Sequence, residues 1–319
     1  MKFLTHRPKL QNLLLLALML HAWTVKAQTD EDAIMMAKNN FCVGGTFTYS
    51  SWKNYWEGTF KRDNLNLGTV STKMYGLMGN YGITGKLNLL VGAPYVDTHA
   101  SAGTLHGMKG IQDLSAWLKW LGLEKDLGKG VISIYALGGF SVPLSDYEPD
   151  FLPLSIGVHS KTLSGRLMVD YQQKKFFATL WGTYTWRSNI TIDESSYYTT
   201  QEIISNQVEM PNTSSFQFRT GYRSTYLIAE AVLSNMTTLG GFDIRKNDMP
   251  FPSNRMDWTS LGANVKWSIE KAPGLSLIGS GNYVLTGRNV GQSATLSLGV
   301  FYILDFSHSS KTASADKKK

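Results

Sequence analysis

From Cys42 to Phe306 the chain repeats one pattern, a run of strand length in which apolar and polar side chains alternate with period two. In Ser260–Glu270 the odd positions are Leu261, Ala263, Val265, Trp267 and Ile269, and the even ones are Ser260, Gly262, Asn264, Lys266, Ser268 and Glu270. A helix would scatter these residues around its circumference, whereas a strand sorts them onto two faces. The last run places Leu296, Leu298, Val300, Tyr302, Leu304 and Phe306 on one face. Its other face carries Thr295, Ser297, Gly299 and Asp305, but also Phe301 and Ile303, so the sorting there is incomplete.

About twelve such runs follow one another, near 42–52, 67–81, 86–97, 110–121, 130–143, 163–172, 175–188, 214–223, 225–235, 258–270, 274–286 and 293–306. Most reach the roughly 9–11 residues that a tilted strand needs to cross a bilayer. Short connections fall at Gly82–Gly85, Gly122–Lys129, Gln173–Lys174, Ser224 and Lys271–Pro273. Long ones fall at 53–66, 98–109, 144–162, 189–213 and 236–257, with a modest one at Gly287–Gln292. Short and long alternate throughout. This rhythm predicts an all-β fold, a single closed antiparallel transmembrane β-barrel of about twelve strands over 42–306, with short periplasmic turns and long external loops. A soluble β-sandwich also alternates, but its strands usually run about 5–6 residues without that rhythm. Aromatic residues fit the barrel: Tyr81, Trp120, Tyr171, Tyr222 and Phe306 fall at the short-turn ends of apolar faces, and Phe140 and Trp186 near the opposite ends, as membrane interfaces favour.

The N-terminus reads as an export signal over 1–27. Lys2, Arg7 and Lys9 form a basic region, Leu13–Leu20 an apolar one, and Val25-Lys26-Ala27 a small-residue cleavage site. Cleavage is expected after Ala27 and the location is the outer membrane of a Gram-negative cell. Residues 28–41 form a short periplasmic segment, expected to rest in the periplasmic mouth with Gln28–Asn40 and the inward charges controlling the bore. In it Asp30, Glu31 and Asp32 precede Ala33-Ile34-Met35-Met36-Ala37, the pattern of a short helix with acids in its first turn. Residues 307–319 are expected to be a disordered basic tail. The formal charge of +7 is concentrated at these ends, and 28–306 balance at 23 Lys+Arg against 23 Asp+Glu. A nucleic-acid surface needs a clustered excess of Lys and Arg, so no nucleic-acid partner is expected.

Taking the apolar faces as lipid-facing, the lumen receives Asp113, Lys119, Tyr135, Arg166, Asp170, Trp181, Arg187, Arg219, Arg223, Glu230, Lys266 and Glu270. Arg166, Arg219, Arg223 and Lys266 could form a cationic constriction that selects anions. Alternatively they pair with Asp113, Asp170, Glu230 and Glu270 and stiffen a narrow barrel. Cys42 reads as a small inward filler, and a single Cys rules out an internal disulfide. No metal-ligand spacing or cofactor motif is present, so no cofactor is expected. Catalysis would need a nucleophile held by a base such as His99, His106 or His159, and the spacing supplies none, so the chain is read as a non-enzyme. Loops 189–213 and 236–257 bring Tyr197, Tyr198, Phe242, Phe251 and Trp258, which could anchor a partner or fold inward as a lid.

Three stretches carry a family resemblance. They are Tyr81-Gly82-Ile83-Thr84-Gly85-Lys86-Leu87 running on to Pro94-Tyr95, then Gly110-Ile111-Gln112-Asp113-Leu114, then Ile134–Pro143 ending Gly138-Gly139-Phe140-Ser141-Val142-Pro143. Over 81–143 the chain resembles the outer-membrane transporters grouped as the MetA-pathway of phenol degradation family. It departs at Gln112, where that family has a second Gly, and at Leu144-Ser145, where it has Thr-Gly. The resemblance implies a passive channel for small solutes, aromatic or apolar ones among them. The residues on their own also leave open a sealed structural barrel, or one that binds through its loops. The oligomeric state is not written in the sequence. Gly82 and Gly85 are expected to supply positive φ in the first short turn, and Pro94 to interrupt its ladder.

Overall fold

A computed structural model describes residues 29–246 and 248–307. The expected signal segment and all of the basic tail beyond Ser307 lie outside the described residues. Twelve long strands form the wall: β1 Asn40–Trp52, β2 Val70–Thr84, β3 Leu87–Ala100, β4 Asp113–Leu127, β5 Gly130–Pro143 and β6 Thr162–Gln173, then β7 Phe176–Arg187, β8 Thr213–Arg223, β9 Leu227–Thr238, β10 Asp257–Ser268, β11 Leu275–Arg288 and β12 Ala294–Asp305. Each pairs antiparallel with its sequence neighbours. The sheet closes where β1 meets β12, from Asn40 opposite Asp305 to Ser51 opposite Ala294. Closure removes the unpaired N–H and C=O groups of an open edge, which hydrocarbon cannot satisfy.

Outward residues are apolar and uncovered. On β12, Leu296, Leu298, Val300 and Tyr302 are exposed while Phe301 and Ile303 are buried inside. Leu163, Leu167, Leu180, Phe216 and Leu233 continue the same belt around the wall. Exposed apolar surface of this extent has no stable place in water and marks the wall as bilayer-facing. Trp120, Phe176, Trp267 and Phe306 lie near the short-turn rim, and Phe140 and Trp186 near the other. Phe47, Tyr75 and Tyr95 add a row of ring contacts across β1, β2 and β3, with centroids 5.2 and 6.5 Å apart.

Three local expectations are corrected. The Gly122–Lys129 connection is strand for most of its length: β4 continues to Leu127 and only Gly128-Lys129 turns. Its run of Glu124-Lys125-Asp126 breaks the apolar pattern because that part of the hairpin projects past the belt, with both faces exposed. Gly82 and Gly85 do not have positive φ. At Gly82 the missing side chain matters for close approach, since a Cβ there would stand 2.0 Å from the Ala37 carbonyl oxygen. Finally, Ala33–Ala37 is not a helix. Pro94 behaves as expected: the β3–β4 ladder stops at Gly92, and pairing on that edge resumes at Tyr95 with Lys109–Ile111.

Candidate functional site: a strapped lumen

Residues 29–39 run inside the barrel as an extended strap along β4, β5 and β6. Their backbone carbonyls explain the missing helix. The Lys119 ammonium on β4 donates to the carbonyls of Thr29 at 3.0 Å and Ile34 at 2.9 Å, to the Asp32 carbonyl, and to Asp32 Oδ1 at 3.2 Å. The Tyr135 hydroxyl on β5 donates to the Ala33 carbonyl at 2.9 Å. These oxygens would otherwise accept intrahelical bonds. Asp32 also turns the chain locally, its carboxylate accepting from the N–H groups of Thr29 and Ile34, at 2.8 and 3.1 Å. Such local capture by an Asp side chain competes directly with helix formation.

Charge fixes the strap tip. Arg166 on β6 donates to the Asp30 carbonyl and carboxylate at 3.0 and 3.1 Å, and from Nε to Thr183 at 2.7 Å. Its guanidinium lies between the rings of Trp117 and Trp181, 4.6 and 4.1 Å from their centroids. Stacking of this kind suits a planar guanidinium and is lost in a lysine. Glu31 faces Arg219 at 3.7 Å.

Apolar side chains seat the rest. Ala33 is buried with Leu121, Tyr135, Leu137, Met168 and Trp181, and Met36 with Cys42, Phe301 and Ile303. The inward Phe301 and Ile303 that blurred the alternation of β12 are therefore the seat for Met36. Where the strap leaves the lumen, the Asn39 N–H donates to the Gly82 carbonyl at 2.8 Å and the Phe306 N–H to the Asn39 carbonyl at 3.0 Å.

Opposite the strap the lumen is open. A cavity of about 740 Å³ runs from Trp52, Trp258 and Ser293 at the long-loop ends of the strands down to Arg223 and Lys266 near the short-turn ends. Its upper wall is rich in hydroxyl and amide groups, among them Ser50, Thr72, Ser260, Asn282 and Thr295. Deeper, Met78, Ile228, Val232 and Ile278 stand among the charges. A second cavity of about 650 Å³ lies at the short-turn end, against Ser133, Tyr135, Asp170 and Gln172.

Most of the residues read from sequence as lumenal do face inward, and two of the four acids expected to pair with the cations, Asp170 and Glu230, do so. Arg223 holds Asp170 through two donors, at 2.9 and 3.2 Å, and Arg219 holds Glu230, with Asn264 donating to the same carboxylate at 3.0 Å. Lys119 and Arg166 instead take their carboxylates from the strap, and Lys266 borders the open cavity. Two expected partners differ. Asp113 accepts from the Tyr147 hydroxyl at 2.7 Å instead of meeting a cation. Glu270 lies beyond β10 in the following turn and is exposed, because the strand ends at Ser268. Arg187, the last residue of β7, is half-buried, and its backbone N–H donates to Asn212 Oδ1 at 3.0 Å. Sequence reasoning missed Asp30, Asp32, Trp117 and Asn88 as parts of the site. Buried Asn88 faces the Met36 backbone, its amide oxygen 2.6 Å from the Met36 nitrogen.

The long loops pack on one another. Tyr197 stacks on Phe251 at 5.3 Å and Arg245 lies over Tyr198 at 3.9 Å, so these aromatics join loops 188–212 and 239–256. His159 meets Tyr147 edge-on at 4.8 Å. Asp243 accepts from Arg288 and Asn289, which hold its carboxyl below the usual range. Asp150 is the opposite case: desolvation, a hydrogen bond to Glu194 and the Glu194 charge raise its pKa to about 6. The folded protein therefore keeps a proton on Asp150 that an unfolded carboxyl releases near pH 4. The same bond holds Glu194 below its usual range, so the link between loops 144–161 and 188–212 is present in the mildly acidic range and is lost as the pH rises through about 6. Limited proteolysis of loop 188–212 should accelerate roughly several-fold between pH 5 and 7.5 as that proton is released, and Asp150→Asn should flatten that rise. A profile identical in wild type and variant would show that the pair does not hold the loops.

No family model matches the chain, and no curated protein matches it. Among solved structures, an outer-membrane channel from Pseudomonas putida F1 superposes with a TM-score of 0.68, at 14% identity, over 87% of this chain and 100% of that one. The translocator domain of the autotransporter NalP from Neisseria meningitidis superposes at a TM-score of 0.43 and 9% identity, over 86% of this chain and 90% of that one. At such identities the first likeness establishes the architecture, a closed twelve-stranded antiparallel barrel of the kind found in outer membranes.

Proposed function

We propose that this barrel is an outer-membrane channel for passive passage of small solutes, with the strap of residues 29–39 restricting its bore. The observation that carries this reading is the divided lumen, filled by the strap along β4–β6 and open along β8–β2. A purely structural barrel needs no such cavity. In an outer-membrane orientation the short turns face the periplasm and the long loops the exterior, which fits an export signal over 1–27 cleaved after Ala27. The resemblance of 81–143 to the phenol-degradation transporters supports solutes with aromatic or apolar parts. The cavity lining supports the same class, since it offers both hydrogen-bonding side chains such as Ser260 and Asn282 and apolar ones such as Ile228 and Val232. The inward residues Lys119, Tyr135, Arg166 and Trp181 serve the strap, while Arg219, Arg223, Glu230 and Lys266 border the route. We assign the protein no catalytic role and no cofactor.

Planar-bilayer recordings of the mature protein and of a variant lacking residues 29–38, at several salt concentrations, test the reading. Ohmic conductance is expected in both, several-fold larger after deletion. A folded barrel that stays silent with and without the strap would leave a sealed barrel acting through its packed external loops.

A further inference from the structure

Three features meet at the periplasmic end of the open cavity. Under β11, β12, β1 and β2 the way down is closed by the apolar cluster around Met36, Cys42 and Phe301. The strap closes the β4–β6 side, with Asp32 bordering the open cavity and Ala33 the periplasmic recess. Between them stands Arg223, the one side chain among the described residues that lines both spaces.

We propose that Arg223, latched to Asp170, is the gate through which a solute leaves the open cavity for the periplasm. The proposal rests on the channel reading and deepens it by naming the constriction. Arg223 is the last residue of β8, and its guanidinium reaches across β7 to β6. It passes over the Phe177 ring at 3.8 Å and ends on both carboxylate oxygens of Asp170, with Gln172 Oε1 accepting at 3.1 Å. Thr179 donates to the same carboxylate and fixes its orientation. The side chain is only 5% exposed, yet its Nε has no hydrogen-bond partner. A two-pronged guanidinium–carboxylate contact holds one geometry, so the ledge is either latched or swung away. None of these contacts touches the strap, which Lys119, Arg166 and Tyr135 hold. Gate and strap are separate devices.

Removing Arg223 alone would leave Asp170 buried and uncompensated, so the informative variant is Asp170→Asn with Arg223→Ser, which removes both charges. A second variant, Asp170→Arg with Arg223→Asp, restores the pair with its ends exchanged. Each is compared with wild type and with the 29–38 deletion in planar bilayers, after a heat-modifiable gel shift has shown the barrel folded. With the strap in place, the neutral double variant is expected to conduct at least three-fold more than wild type, and the exchanged pair to return conductance to near the wild-type level. Unchanged conductance in the neutral variant, with a larger current after strap deletion, overturns the gate and leaves the channel standing. Silence in all four folded proteins removes the channel and the gate with it.

Discussion

Replacing Lys119 by methionine is expected to raise the conductance of the barrel towards that of the strap-deleted protein. Lys119 is fully buried and its ammonium spends its donors on three strap carbonyls and the Asp32 carboxylate. Methionine keeps the length and apolar stem but removes every one of those bonds. Asp32 then faces a lumen that has lost its nearest cation. Breaking a buried pair by removing one partner costs about 3–5 kcal/mol. At about 1.4 kcal/mol per factor of ten, the seated population falls by roughly 100- to 4,000-fold relative to the released one. Arg166 and Tyr135 still hold the tip and Ala33, so release is expected to be partial and to show as transitions between two current levels. A protease added from the periplasmic side should cut within residues 29–39 in the variant and spare the wild type. Wild-type current together with an uncut strap would show that packing of Ala33 and Met36 is enough to hold it, and that the Lys119 bonds add nothing.

The wall was legible in the sequence because lipid on one side and a lumen on the other impose a strict period of two, which Ser260–Ser268 displays without exception. The strap was legible only as a segment at the mouth that helps control the bore; its extended course and its partners were not, for a physical reason. Asp30-Glu31-Asp32 ahead of an Ala/Met-rich run has good local helix chemistry, and only the tertiary partners Lys119 and Tyr135 override it. Those partners cannot be read from spacing, since Asp32 and Lys119 are 87 residues apart. Two signals did point to it. The charges over 28–306 balance only when the strap acids are counted with the wall. Phe301 and Ile303 broke the alternation of β12 because an apolar segment had to be covered from inside. The pairing of Asp113 with Tyr147 was hidden for a different reason, since an external loop must fold back before that hydroxyl can reach the strand.

The face assignment makes its largest energetic claim at Leu298. This residue sits near the middle of β12, 66% exposed, opposite Phe47 on β1 and Gly279 on β11. Leu298→Arg places a guanidinium in the hydrocarbon near midplane, where an arginine costs about 2–4 kcal/mol. Urea titration of the barrel folded into vesicles should therefore show a stability loss of about that size, or a failure to insert. Thr295→Arg on the same strand is the contrast, because Thr295 lines the open cavity. Its guanidinium meets water and neighbouring hydroxyls, so stability should stay within about 0.5 kcal/mol of wild type, as exposed substitutions generally do, while the conductance falls. The two substitutions differ by three positions along one strand, hence by opposite faces. If Leu298→Arg folds as stably as wild type while Thr295→Arg does not, the inside and outside of the barrel have been exchanged, and every lumenal role given to Lys119, Arg166 and Arg223 goes with them.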